Sequence, residues 1–332
     1  MIRSVGGMAL ASAILWASGA VAQIRAPEVG REVSAEVDEM YQRGLRYLVS
    51  SQGGDGSWSG DGGYGGQPGV VALALMAMLA RGDDPEFGPY AGNVRRAVEF
   101  LLKQSNPETG YIGQSMYNHG FATLALSEVY GTVDIPGVGT ALKRAVDLII
   151  AAQKRNGSGA WRYNPESFDA DSTVAGCQIV ALLGARNAGV AVPDEVIERG
   201  LEFILSCQTA DGGVGYMNAS GPNQARTAIL MLCLDLTGKS NTPPYNRALR
   251  FMRRAPPESD TYFHYFLYYA AQAWFRVSDQ AWEEWNRVNV RLLRETQNPD
   301  GSWPGNFGSS FTTSACLLSL ALNYRFLPIY ER

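Results

Sequence analysis

Apolar residues along this chain follow two alternating patterns. In the first they form a single helical stripe: Val94, Ala97, Val98, Leu101 and Leu102 recur at three- and four-residue spacing, while Arg95, Arg96 and Lys103 occupy the other face. In the second the segment is apolar nearly all round, as in Val70 to Ala80 and Thr227 to Leu236. A striped segment predicts a helix with one face in water, and an all-apolar segment predicts a helix enclosed on every side.

A short signature separates each striped segment from the apolar one that follows. A helix ends in Gln, a polar Gly-bearing turn follows, and then comes an aromatic residue. The copies are Gln52 to Gly56-Ser57-Trp58, Gln104 to Gly110-Tyr111, Gln153 to Gly159-Ala160-Trp161, Gln208 through Gly213 to Tyr216, and Gln297 to Gly301-Ser302-Trp303. Roughly 50 residues separate successive copies, the spacing of stacked supersecondary units. The last interval is nearly double, which places a degenerate copy at Ala248 to Arg254. Six striped and six apolar helices in alternation predict an all-α fold, an (α/α)6 toroid of six helical hairpins with an outer and an inner ring of helices. Closure of the ring removes the need for capping repeats.

The N-terminus changes the picture of where this ring resides. Arg3, the apolar run Val5 to Gly19 and the small residues Ala20-Val21-Ala22 read as a cleaved export signal. The expected division is a signal peptide at 1–22, an N-terminal extension at 23–36 and a single toroid domain at 37–332, periplasmic or secreted. No later apolar run reaches the ~18 residues of a membrane span, so none is expected in the mature chain. A net charge of −4 and a pI of about 5.4, without any basic cluster, argue against nucleic acid as a partner. The 46% hydrophobic content suits a large core. Cys177, Cys207, Cys233 and Cys316 lie in apolar stretches without zinc-type spacing. They are read either as buried thiols or as containing a Cys177–Cys233 disulfide. No metal or cofactor is expected.

Gln, Gly turn and aromatic at this period resemble the QW-type repeats of squalene and oxidosqualene cyclases and of protein prenyltransferase β subunits, over roughly Val37 to Tyr330. Met116-Tyr117-Asn118-His119-Gly120, Asp169-Ala170-Asp171-Ser172-Thr173 and Trp282-Glu283-Glu284-Trp285-Asn286 resemble a group of exported single-barrel proteins with prenyltransferase/squalene-cyclase-type repeats. The lineage implies the toroid fold and an apolar, isoprenoid-like ligand in the central cavity.

In such a ring the N-termini of all inner helices meet at one rim. That rim gathers Asn118 and His119, then Asp169, Asp171 and Thr173, then Asn223, Gln224 and Arg226, then Asp260, Tyr262 and His264, and finally Ser310 and Thr312. Convergent polar groups in an apolar ring predict a site; the same residue types also cap helices. Asp169 to Val174 resembles the D-x-D-D-T motif of class II terpene cyclases, which makes Asp171 the proton donor, although Ser172 replaces an aspartate of that motif. Asp169 belongs to the same acidic pair, and His119 or His264 is the expected hydrogen-bonding partner. Asn118, Thr173, Arg226, Tyr262, Tyr265 and Trp274 are the expected ligand-binding residues, since aromatic faces stabilise cations and also stack on sugars. Three functions follow: a class II cyclase-like enzyme, a non-catalytic module for an apolar ligand or for a protein partner at the rim, and a polysaccharide-degrading α/α barrel.

Overall fold

The computed structural model describes residues 33–61, 63–254 and 262–330. The expected export signal, most of the extension that follows it and Asp260 lie outside these described residues. Within them the chain forms twelve α-helices: α1 (Ala35–Ser51), α2 (Pro68–Leu79), α3 (Ala91–Gln104), α4 (Met116–Val129), α5 (Val138–Arg155), α6 (Ser172–Asn187), α7 (Asp194–Ser206), α8 (Gln224–Leu236), α9 (Pro243–Arg254), α10 (Phe263–Val277), α11 (Asp279–Thr296) and α12 (Ser309–Ala321). The even-numbered helices pack on one another in the closed order α2, α4, α6, α8, α10, α12 and back to α2. The odd-numbered helices surround them, each mainly against one inner neighbour: α3 on α2, α5 on α4, and so on to α1 on α12. The expected all-α toroid with inner and outer rings is therefore the observed architecture.

The two sequence patterns map onto the two rings. Every residue of α2 is buried, whereas α3 buries Val94, Ala97, Val98 and Leu101 and exposes Arg95 and Lys103. Side-chain caps start several helices: Ser115 accepts the Asn118 N–H before α4, Asp171 caps α6, and Asn223 accepts the Arg226 N–H before α8.

The repeated signature joins neighbouring units. Gln52 Nε2 donates to Gly56 O of its own turn (3.0 Å) and to Asn93 O in the first turn of the next outer helix (3.1 Å). Gln208 does the same with Gly212 O and Pro244 O, and Gln297 with Gly301 O and Met40 O. The indole of Trp58, Trp161 or Trp303 donates back to a carbonyl of the preceding helix. Since α1 supplies Met40, the sixth unit is completed by the first.

Two copies of the signature differ in register from the sequence reading. Gly56, Gly110, Gly159, Gly212 and Gly301 all take the left-handed conformation, and this turn fixes the alignment. The aromatic slot lies two residues beyond it, which puts Trp58, Trp161 and Trp303 in the slot but also Ile112 and Val214, all buried. Tyr111 and Tyr216 are thus outside the slot. Gln104 is exposed, and Gln153 bonds only across the seam, to Val196 O at 2.7 Å.

The seams are unequally tight. A Cβ on Gly110 would stand 2.6 Å from the backbone oxygen of Arg144 in the next outer helix. At Gly159 the nearest atom is 3.6 Å away, on the Arg199 side chain. A surface cleft of about 360 Å³ opens there, lined by Gly157, Arg199, Glu202, Phe203 and Ser206.

Inside the ring, α4 faces α10 across the centre. Phe121 meets Tyr268 at 5.8 Å between ring centroids and Tyr117 meets Tyr265 at 6.3 Å, so aromatic side chains fill the ring at this depth. The last turn, Pro328–Tyr330, leaves α12 and packs against α6 on the opposite side, with Ile329 and Tyr330 buried and Ile329 O bonded by Arg276. The mouth of the ring is the end at which the inner helices begin, with Tyr117 in the first turn of α4. All four cysteines are free and buried, so the Cys177–Cys233 disulfide reading is not adopted. No helix among the described residues is long and apolar enough to cross a membrane.

Candidate functional site

Asp171 is wholly buried at the start of α6. Its Oδ1 accepts the N–H groups of Thr173 and Val174, both at 2.9 Å, and the Thr173 hydroxyl at 2.5 Å. Thr173 Oγ1 is in turn bonded to the Tyr117 hydroxyl, whose ring stands between Tyr163 and Tyr265. The other oxygen, Oδ2, is buried without a hydrogen bond. Arg162 Nε lies 3.3 Å from it, but the N–H is not directed at the oxygen, so the contact is ionic only. Burial pushes the Asp171 carboxyl above the usual range; the Thr173 hydroxyl, the Val174 and Thr173 amides and Arg162 oppose that rise.

Arg162 organises the surroundings. Its guanidinium lies 5.0 Å from the Tyr163 ring centre and 5.5 Å from that of Tyr216, and the two hydroxyls bond to each other. It also pairs with Asp169, whose side chain is half exposed. Arg226 stacks beyond Tyr216 and donates to Val214 O and Gly221 O. The Asp171 neighbourhood therefore brings together Asp169, Thr173 and Arg226 of the expected residues, and adds Arg162, Tyr163, Tyr216 and Tyr117. The added residues carry one legible signal: Arg162-Tyr163 directly follows Trp161, so the turn must deliver it to the same rim as Asp171.

The histidines do not partner Asp171. Nδ1 of His119 accepts the Ile112 N–H at 3.1 Å, which leaves the proton on Nε2 to donate to Ala145 O at 3.0 Å. The same task falls to Thr227 for Val214 and to Thr313 for Trp303. His119 holds a seam, and burial lowers its imidazole to about 4. His264 is half-buried at the start of α10 with Gly305 against its ring, and burial lowers it likewise to about 4. Asn118 ties two inner helices together, accepting the Gly69 N–H and donating to Gln67 Oε1. Trp274 lies three turns along α10 from His264, packed against the core and away from the mouth.

Tyr262 does reach the mouth. It is 53% exposed and stacks on Phe307 at 6.0 Å, and Phe307 meets Tyr64 on its other side at 5.6 Å. Among the described residues no group of three or more His, Cys, Asp or Glu side chains is arranged to hold a metal ion.

No protein-family model matches the sequence. Among solved structures, the type II terpene cyclase MstE from Scytonema superposes with a TM-score of 0.60 at 17% identity, over 88% of this chain and 99% of that one. The GH76A α-1,6-mannanase from Salegentibacter sp. HEL1_6 superposes with a TM-score of 0.65 at 11% identity, over 86% and 98%. This chain is an α/α toroid. At these identities the likeness extends to the fold alone, which hosts two unrelated chemistries, so the activity of this toroid has to be argued from its own mouth. A variant of MstE is known in complex with geranylgeranyl dihydroxybenzoate, its substrate.

Proposed function

We propose that this toroid is an exported terpenoid-handling protein that takes an isoprenoid-like ligand at the mouth and protonates it from Asp171, in the manner of a class II cyclase. The observation that carries this reading is the division of labour within the Asp171 carboxyl. One oxygen is held by three donors, which stabilise the anion left behind; the other is buried, makes no hydrogen bond and has only the ionic contact of Arg162, so it is the oxygen that would bear the proton. The proton leaves Oδ2 for an alkene carbon, and the π pair becomes the new C–H bond. The adjacent carbon becomes cationic, a second alkene closes the ring onto it and carries the charge onward, and a final C–H gives up its proton to water, from which Asp171 is reprotonated. The reaction is an isomerisation and needs no co-reactant. The faces of Tyr117 and Tyr265 would stabilise the cation, and the family resemblance of Asp169 to Val174 supports the same assignment.

The row Tyr64, Phe307 and Tyr262, exposed at its two tyrosines, favours a second reading, in which the mouth stacks sugar rings; the mannanase likeness is compatible with it. The deciding experiment incubates the purified mature protein, and an Asp171→Asn variant, with squalene, a bacterial lipid extract and an α-1,6-mannan oligosaccharide. Extracts are separated by chromatography with mass detection, because cyclisation leaves the mass unchanged. A new peak of unchanged mass from the unmodified protein alone is the expected result. Lipid bound equally by both proteins without conversion would leave a carrier. Cleavage of mannan with no lipid bound would replace the isoprenoid reading.

A further inference from the structure

We infer that Arg162 is a latch: with Tyr163 and Tyr216 it covers Asp171, and an entering ligand must displace it, which frees Asp171 to act as the acid. The inference rests on the acid role given to Asp171 above.

Access comes first. Asp171 is wholly buried, and the group over Oδ2 is the Arg162 guanidinium, laid between two tyrosine rings whose hydroxyls are bonded to each other. A ligand cannot touch Oδ2 while that arrangement stands. No hydrogen bond to Oδ2 is lost when Arg162 leaves, because its N–H is not directed at that oxygen. Arg162 also has somewhere to go: its partner Asp169 faces solvent, so the pair can swing outward together. The remaining contacts of Asp171, to Thr173 and Val174, belong to the helix start and stay in place.

The electrical consequence follows from the groups that face Asp171. They are Arg162 and Asp169 from the turn before α6, Thr173 on α6, Tyr117 on α4, Tyr163 and Tyr216 from adjacent turns, the thiols of Cys177 and Cys207, and Arg226 beyond Tyr216. Arg162 is the cation in contact with the carboxyl. With it in place its charge is one of the groups that oppose the rise burial imposes on the carboxyl. With it withdrawn, burial acts unopposed at Oδ2 and favours the protonated form. Ligand entry would thus both uncover Oδ2 and favour its protonation.

The test needs no substrate. Protein labelled with ¹³C at aspartate carboxyl carbons is titrated by NMR, and the Asp171 signal is identified as the one missing from Asp171→Asn. In Arg162→Met and Arg162→Gln the midpoint should rise by about one pH unit or more, a tenfold change in protonation. Tyr163→Phe, which removes one of the paired hydroxyls, should move it the same way by less. An unmoved or lowered midpoint in folded Arg162 variants overturns the latch. Should both variants fail to fold, an unmoved midpoint in Tyr163→Phe overturns it. Absence of any squalene product would count against the acid role while leaving a raised midpoint as evidence for the latch. An unmoved midpoint would remove the latch and leave the acid role standing.

Discussion

The second and third units place a buried polar group near the same rim and use it in opposite ways. His119 in the second unit has both ring nitrogens satisfied, by Ile112 and Ala145, across a seam where Gly110 is pressed against Arg144. Asp171 in the third has one oxygen saturated and one left with an ionic contact, in a unit whose turn stands off its neighbour. Burial is equal in the two cases, so it does not separate structure from chemistry. The count of satisfied hydrogen bonds does: a saturated group has nothing further to offer, whereas an unsaturated one can still react or bind.

The contrast can be broken most directly at His119. His119→Ala should cost roughly 3–5 kcal/mol in urea unfolding, because it leaves a cavity and the buried Ile112 N–H without a partner. Asp171→Asn should cost under about 1 kcal/mol, since Asn also caps helices. The reverse order would undo the comparison. Acidification separates the two groups by sign. His119 is held near 4 in the folded protein, so the unfolded chain takes up its proton first, and stability should fall by about 3 kcal/mol as pH drops from about 6.5 through 4. The Asp171 carboxyl is raised, so the cost of burying its charge is present above its midpoint and is relieved on acidification. Unfolding free energies across this range, measured beside Asp171→Asn, should show the variant losing more stability than the unmodified protein as pH falls. The smallest effect compares the turns. Gly110→Ala should cost about 2–3 kcal/mol, from left-handed strain plus the clash with Arg144, and Gly159→Ala about 1 kcal/mol, from strain alone.

The fold was legible because burial imposes periodicity. A helix enclosed by neighbours on all sides must be apolar all round, as Pro68–Leu79 is, and one with a face in water must be striped, as Ala91–Gln104 is. The register of the signature was less legible. The conserved geometry belongs to the left-handed glycine and the slot two residues beyond it, and Ile112 and Val214 fill that slot as well as tryptophan does, so a search for aromatics drifts to Tyr111 and Tyr216. Asp171 could be found because its residue type and the Ser-Thr after it announce a helix start. For Arg162 and Tyr163 only their rim was legible, from their place after Trp161; nothing in a linear turn tells which way its side chains lean, nor that Tyr216 meets them. His119 misled because a polar residue on an inner helix is equally the mark of a site and of a seam.

The seam between the sixth and first units, where Gln297 reaches Met40 and Arg43 reaches Asn298, joins residues more than two hundred positions apart in the chain. In an open array of repeats each new unit is stabilised as it is added, and stability grows with length. Here the apolar stripe of α1 stays without its cover until α12 is made, so the earliest helix waits for the latest. The cost of closing so large a loop falls on one step, which makes assembly slow and cooperative and leaves shortened chains with two unsealed ends rather than with a smaller ring.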